Sequence, residues 1–68
     1  MKLSYYPKTD SAYIEFSEGA GTKTVEVADG VNVDLGALDE LIGIELERAS
    51  KHIDSVTLNE AKRESQSL

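Results

Sequence analysis

Apolar and polar residues alternate with period two over most of the first 47 residues, and short turn sequences interrupt the alternation at regular intervals. Successive side chains of a β-strand point to opposite faces, so this pattern predicts strands that each bury one face. The five alternating runs cover residues 2–6, 11–16, 24–28, 31–35 and 40–47. The predicted fold class is α+β, mainly β: an antiparallel five-stranded meander with a short C-terminal helical segment packing on the sheet.

Turn chemistry indicates how neighbouring runs pair. Pro7 to Asp10 separates the first two runs, and Asp29-Gly30 is the strongest hairpin signal in the chain. Asp10, Asp29 and Gly30 are therefore interpreted as structural turn residues. Gly43 lies inside the fifth run, where a glycine usually marks a bulge or the close approach of another group.

The pattern changes after Arg48, and we divide the chain into a β-meander domain with the start of a helix, residues 1–53, and a tail, residues 54–68. Ala49, Ile53 and Val56 have helical spacing, with Ser50 as a candidate cap. Thr57 and Glu60 match a capping box, which predicts a short helix over Leu58–Glu64. The last four residues, 65–68, are expected to fray.

The alternation assigns each strand residue to a face. The predicted core face carries Leu3, Tyr5, Ala12, Ile14, Phe16, Val25, Val27, Val31, Val33, Leu35, Ile42, Ile44 and Leu46. The opposite face carries Tyr6, Tyr13, Glu15, Glu26, Asn32, Asp34, Glu45 and Glu47. One short helix cannot cover the first set, so we expect a symmetric homodimer that packs face to face or shares a sheet edge.

Composition restricts how so small a chain is stabilised. With 68 residues, no cysteine and one histidine, the protein has neither a disulfide nor the usual ligands of a structural zinc site. Oligomerisation is the remaining means of support.

The formal charge of −6 opposes binding to a phosphate backbone and suits a basic partner protein. The sequence shows no signal-peptide core and no apolar run long enough to span a membrane, so we expect a cytoplasmic protein that binds neither nucleic acid nor membrane.

The polar face supplies the candidate interaction residues, Tyr13, Glu15, Asp34, Gly43 and Glu45. Carboxylates there suit a hard cation or acid-base chemistry, but a solvated sheet face whose like charges keep edges apart explains them as well. We assign no catalytic residue, no metal ligand and no cofactor. The glycines of residues 17–22 lie before a strand, without the helix and lysine of a phosphate-binding loop, and His52 has no partner at motif spacing.

Several segments together resemble a known family. They are Tyr5-Tyr6, Asp10-Ser11-Ala12-Tyr13-Ile14, Asp29-Gly30-Val31-Asn32-Val33-Asp34, Leu41-Ile42-Gly43-Ile44-Glu45-Leu46 and Ala49-Ser50. Their order and spacing are similar to those of the small bacterial proteins grouped as domain of unknown function 2283. The resemblance covers about residues 3–53 and implies a small β-rich protein without an assigned activity, in a group suspected of antitoxin-like roles.

Three hypotheses follow from these observations. The first is an acidic, dimeric interaction module that binds a basic protein and is antitoxin-like in role. The second is a metal-assisted enzyme that uses Glu15, Asp34 and Glu45. The third is a purely structural homo-oligomer.

Overall fold

A computed structural model describes residues 1–62 as one sheet with two short helical segments on one side. The strands are β1 (Lys2–Tyr6), β2 (Ser11–Glu15), β3 (Lys23–Ala28), β4 (Val31–Leu35) and β5 (Leu41–Leu46). A 3-10 helix, Ala49–Lys51, and an α-helix, α1 (Ser55–Glu60), follow. All strand pairs are antiparallel, so the predicted fold class is confirmed.

The strand order is β1-β2-β5-β4-β3. A single continuous meander would place β3 beside β2, whereas here β5 occupies that position and joins two hairpins. Ala12 on β2 pairs with Leu46, and Val33 on β4 pairs with Ile44. The last strand within residues 1–62 is therefore the central strand of the sheet.

Directly paired residues share a face, so the register separates apolar from polar side chains across the whole sheet. We call the side with Leu3, Ile14, Ile44, Val33 and Val25, and with Tyr5, Ala12, Leu46 and Val31, the apolar face. We call the side with Lys2, Glu15, Gly43, Asp34 and Thr24, and with Ser4, Tyr13, Glu45, Asn32 and Glu26, the polar face. Val27 departs from the predicted core face.

A β-bulge at Val27 explains that departure. A regular two-residue hairpin closing on Ala28 and Val31 would place Val25 opposite Asp34, which mixes the two faces. One extra residue between Glu26 and Ala28 shifts the register, so that Val25 pairs with Val33 instead. Val27 is that extra residue and is 59% exposed. A second register shift, between Asp34 and Leu35, lies beside Gly43.

The helical segments cover the apolar face on its β1–β2 side. Ala49 and Leu58 pack with Ala12 and Leu46 to form the buried cluster, which Ile53 and several strand residues adjoin. The backbone N–H of Tyr5 on β1 also donates to the carbonyl of Ala61 at 2.9 Å. The edge of β1 is thus partly occupied, whereas every residue of the opposite edge strand, β3, is exposed.

The position of α1 differs from the predicted one. Asp54, not Thr57, is the N-cap, and its carboxylate accepts hydrogen bonds from the backbone N–H and the hydroxyl of Thr57 at 3.0 and 2.8 Å. Ser50 does not cap a helix either, since it lies within the 3-10 helix. The predicted helix over Leu58–Glu64 also ends too late, because α1 stops at Glu60 and Lys62 is bridged to Tyr5 on β1. Residues 63–68, including the predicted frayed end, lie outside the described part of the chain. Within residues 1–62, no helix is long and apolar enough to cross a bilayer.

Candidate interaction face

The five predicted interaction residues lie together on the polar face. On β5, Gly43 pairs with Glu15 on one side and Asp34 on the other. Glu45, two residues further along β5, pairs with Tyr13 and Asn32. Three neighbouring strands thus bring into one patch residues that are up to 32 positions apart in sequence.

Tyr13 lies across the central strand. Its hydroxyl donates to Asp34 Oδ2 at 3.0 Å, so the side chain extends from β2 over β5 to β4. A Cβ atom at Gly43 would collide with the hydroxyl and ring of Tyr13 and would stand 2.9 Å from the carbonyl oxygen of Ile14. Gly43 is therefore the position that lets the tyrosine lie close to the backbone, which confirms the close approach predicted there.

Asp34 is held from both sides. Its other carboxylate oxygen, Oδ1, accepts a hydrogen bond from Thr24 Oγ1 on β3 at 2.8 Å. Thr24 was not among the predicted site residues, although its pairing with Asp34 follows once the bulge in β3 is known. The bonds from Tyr13 and Thr24 fix the carboxylate between them.

The phenol of Tyr13 is a hydrogen-bond donor that retains its proton. Burial raises its pKa above the ordinary value, and the hydrogen bond and negative charge of Asp34 raise it further, followed by the charges of Glu15 and Glu45. The group is therefore protonated near neutral pH. This suits a hydrogen-bond donor and does not suit a phenolate nucleophile.

The ion pairs in residues 1–62 lie elsewhere. Lys23 contacts Asp39 at 3.0 Å, and Arg48 contacts Asp29 at 3.0 Å and Glu47 at 3.8 Å. No such pair in that part of the chain involves Glu15, Glu26, Asp34 or Glu45. Within residues 1–62, Glu15, Glu26 and Glu45 thus have no cationic partner, and Asp34 is held by the hydroxyls of Tyr13 and Thr24.

A bound metal ion is not indicated by the geometry. In the described part of the chain, no three aspartate, glutamate or histidine side chains are grouped so that they could hold one. The hypothesis of a metal-assisted enzyme built on Glu15, Asp34 and Glu45 consequently receives no support from their arrangement.

Asp10 is a structural residue, but its partners differ from those expected. Its carboxylate accepts hydrogen bonds from the hydroxyl of Tyr5 at 2.8 Å and from the backbone N–H and hydroxyl of Ser50 at 3.1 and 2.7 Å. The sequence analysis assigned Asp10 only a local role in its turn. Asp10 instead connects the β1–β2 turn to the 3-10 helix, forty residues later.

Asp29 and Gly30 form the predicted hairpin turn. Gly30 has a φ of 77°, a conformation that favours glycine, and a Cβ there would stand 2.8 Å from Arg48 Nη2. The same Nη2 donates to Asp29 Oδ2, so the turn is tied to the end of β5. Arg48 was not identified from the sequence.

Comparison with known proteins identifies one family for this chain. A family model described as "Protein of unknown function (DUF2283)" matches residues 2–50. The chain belongs to this family. In this DUF2283 member, the matched range includes every strand, Asp10 and its partner Ser50, and all five residues of the candidate face. No curated protein and no solved structure matches the sequence.

Proposed function

We propose that this protein is a small interaction module whose polar face binds a basic partner protein. An antitoxin-like role, in which the partner is an enzyme or toxin held inactive, is the specific form that the family resemblance suggests. The proposal concerns binding and assigns no catalytic step to the chain.

The supporting observation is the state of the polar face. Glu15, Glu26, Asp34 and Glu45 lie on two adjacent rows of the sheet, and both described helical segments pack on the other side. No lysine or arginine of residues 1–62 forms an ion pair with any of these four. The nearest cationic residue in the register is Lys2, which pairs with Glu15 across β1 and β2 without an ion-pair contact.

Such a surface favours a basic partner for two physical reasons. A net charge of −6 on a chain of this size raises the local concentration of cationic proteins and accelerates their association. The bonds between Tyr13, Asp34 and Thr24 hold part of the surface in a fixed shape before binding, so less side-chain freedom is lost.

The first experiment is an affinity capture from native lysate, eluted in steps of increasing salt and analysed by mass spectrometry. We expect one basic protein at a stoichiometric level, released at moderate salt because charge attraction is screened. Captured proteins that stay bound regardless of salt would contradict the proposal.

The captured protein then serves as the ligand in calorimetric titrations against two variants of equal net charge. The double variant Glu26→Gln, Glu45→Gln removes two charges from the polar face, and the control Glu18→Gln, Glu60→Gln removes two from a loop and from α1. We expect a loss of affinity of about tenfold or more for the first and less than about threefold for the second. Equal losses would show that only net charge matters, and the polar face would then not be the binding surface.

A further inference from the structure

We infer that the polar face binds an arginine side chain of the basic partner on the outer side of the Tyr13 ring, between the carboxylates of Glu15 and Glu45. We call these three residues the arginine site. The inference rests on the proposed function and deepens it, because it names the chemical group of the partner that the polar face recognises.

The ring of Tyr13 has one side against the sheet and one side turned away from it. Its hydroxyl crosses β5 to donate to Asp34 Oδ2 at 3.0 Å, and a Cβ atom at Gly43 would collide with Cζ of the ring. The tyrosine is partly exposed, and both described helical segments pack on the opposite face of the sheet. Within residues 1–62, the outer side of the ring is thus open to a partner.

Glu15 and Glu45 lie on two sides of this ring. Glu45 pairs directly with Tyr13 from β5, and Glu15 follows two residues along β2 on the same face. Such neighbours have Cβ atoms about 5 Å apart across strands and about 7 Å apart along one strand. Burial and Asp34 raise the pKa of the Tyr13 phenol most, and the charges of both glutamates raise it further, so both carboxylates act on the phenol.

This arrangement complements a single cation. The face of an aromatic ring carries negative electrostatic potential and attracts a cation within about 6 Å of its centre. No lysine or arginine of residues 1–62 forms an ion pair with Glu15 or Glu45. The hydrogen bond to Asp34 also holds the ring in position before binding, so little side-chain freedom is lost when a cation stacks on it.

Arginine fits this arrangement better than lysine. Its guanidinium group is planar, so it stacks on an aromatic face while its N–H groups at the rim donate to carboxylates on both sides. The lysine ammonium is a compact, strongly hydrated charge that offers no flat surface to the ring. Arginine is also among the residues that contribute most to binding at protein interfaces, as is tyrosine.

The first test is an NMR titration with N-acetyl-arginine amide, which offers one guanidinium group, at physiological ionic strength. N-acetyl-lysine amide is the matched probe of equal charge. We expect the arginine probe to shift the ring signals of Tyr13 and to leave those of Tyr6, an exposed tyrosine at the end of β1, unchanged. We expect weaker binding of the lysine probe. Equal shifts at both tyrosines, or equal binding of both probes, would overturn the inference.

The second test removes the ring. Tyr13→Leu keeps an apolar side chain of moderate size without an aromatic face, and Tyr6→Leu is the matched control. We expect Tyr13→Leu to weaken binding of the arginine probe about fivefold or more, and Tyr6→Leu to bind it like the wild type. A folded Tyr13→Leu protein that binds the probe as tightly as the wild type would overturn the inference.

A pair of charge variants keeps the inference testable if circular dichroism shows that Tyr13→Leu is unfolded. Glu15→Gln, Glu45→Gln leaves the ring in place, and we expect it to weaken binding of the arginine probe about threefold or more. The control Glu18→Gln, Glu60→Gln removes the same number of charges elsewhere and should change binding by less than about twofold. Equal effects of the two double variants would contradict a site between Glu15 and Glu45.

The captured partner separates this inference from the proposed function. A partner whose affinity falls with Glu26→Gln, Glu45→Gln and stays unchanged with Tyr13→Leu would bind the polar face without the arginine site, and this inference alone would be wrong. An arginine probe that binds at Tyr13, combined with a lysate capture that returns no basic protein, would support the arginine site and contradict the proposed function.

Discussion

At the scale of single residues, two polar contacts connect parts of the chain that are distant in sequence. Asp10 joins the first turn to Ser50, and Tyr13 crosses β5 to reach Asp34. Asp10 reaches Ser50 with a short side chain. Tyr13 reaches Asp34 because Gly43 lets it lie close to the backbone. Their loss should therefore affect the folded protein more than exposure alone suggests.

Asp10 gives a prediction about pH. The hydrogen bonds from Ser50, and then the one from Tyr5, lower the pKa of the Asp10 carboxyl below its ordinary value of about 3.9. The resulting stabilisation is present above that ordinary pKa and is lost as the pH falls through the lower, folded-state pKa. We expect Asp10→Asn to lower the Tm at pH 7, and we expect its difference from the wild type to shrink as the pH falls below the ordinary pKa of an aspartate.

Thermal melts followed by circular dichroism at several pH values would check this. Asparagine suits the test because it tolerates the positive φ of 52° at this position. Glu18→Gln, in an exposed loop, is the control and should follow the wild type at every pH. A difference between Asp10→Asn and the wild type that is constant down to pH 2 would show that ionisation of Asp10 is not what stabilises the contact.

Gly43 gives a prediction about packing. The methyl group of Gly43→Ala would collide with Tyr13 and the Ile14 carbonyl, so we expect a loss of about 1–3 kcal/mol in the free energy of unfolding. The control is Gly21→Ala, whose Cβ would stand 3.4 Å from Asp34 Cβ, and it should be close to neutral. Urea denaturation of both variants measures the difference, and a Gly43→Ala protein as stable as Gly21→Ala would refute the contact.

The close approach at Gly43 could be predicted from the sequence, whereas the partner of Asp10 could not. An interior glycine in a strand indicates close approach, and Gly43 shows it. Nothing in the local pattern around Asp10 indicates Ser50, because that contact exists only after the 3-10 helix has folded back onto the first turn. The pattern around a residue indicates its local role, whereas the partner of its side chain depends on how the rest of the chain folds.

At the scale of secondary-structure elements, β3 and α1 each contain two local sequence patterns that predict different structures. The two-residue turn at Asp29-Gly30 and the alternation of valines imply different registers, and the bulge at Val27 satisfies both. Two capping sequences also overlap, one starting at Asp54 and one at Thr57. In the structure the earlier one caps α1, and Leu58 within α1 is buried against the cluster.

The helix start gives a prediction of its own. Asp54→Ala removes the side chain that caps the Thr57 N–H, and we expect the Tm to fall by roughly 5 °C. The control is Asp39→Asn, which removes the charge of an exposed carboxylate far from α1 in sequence. Among residues 1–62 that carboxylate forms an ion pair with Lys23, and asparagine tolerates the positive φ of 62° there. A melt of Asp54→Ala that matches the wild type would show that another residue caps the helix.

At the scale of the whole molecule, the sequence specified the faces of the sheet and left the strand order open. Period two tells which side chains share a face, and the register confirms it apart from two positions. Val27 is the extra residue of the bulge, and Leu41 pairs with Leu35 after the second register shift although only Leu35 was predicted on the core face. The alternation carries no information on which strands are neighbours. The sequence analysis therefore did not predict that β5 lies beside β2. The two faces differ sharply in chemistry, and the polar face is the one that supports the proposed function.

The central position of β5 also determines when the protein can fold. During synthesis, β1–β2 and β3–β4 emerge first and can each form a hairpin, but isolated hairpins are marginal in water. Nothing joins them until Leu41–Leu46 has left the ribosome and can pair with both β2 and β4. A nascent chain that stalls before that point therefore exposes two separate apolar hairpin faces, and the last strand made completes the whole sheet in one step.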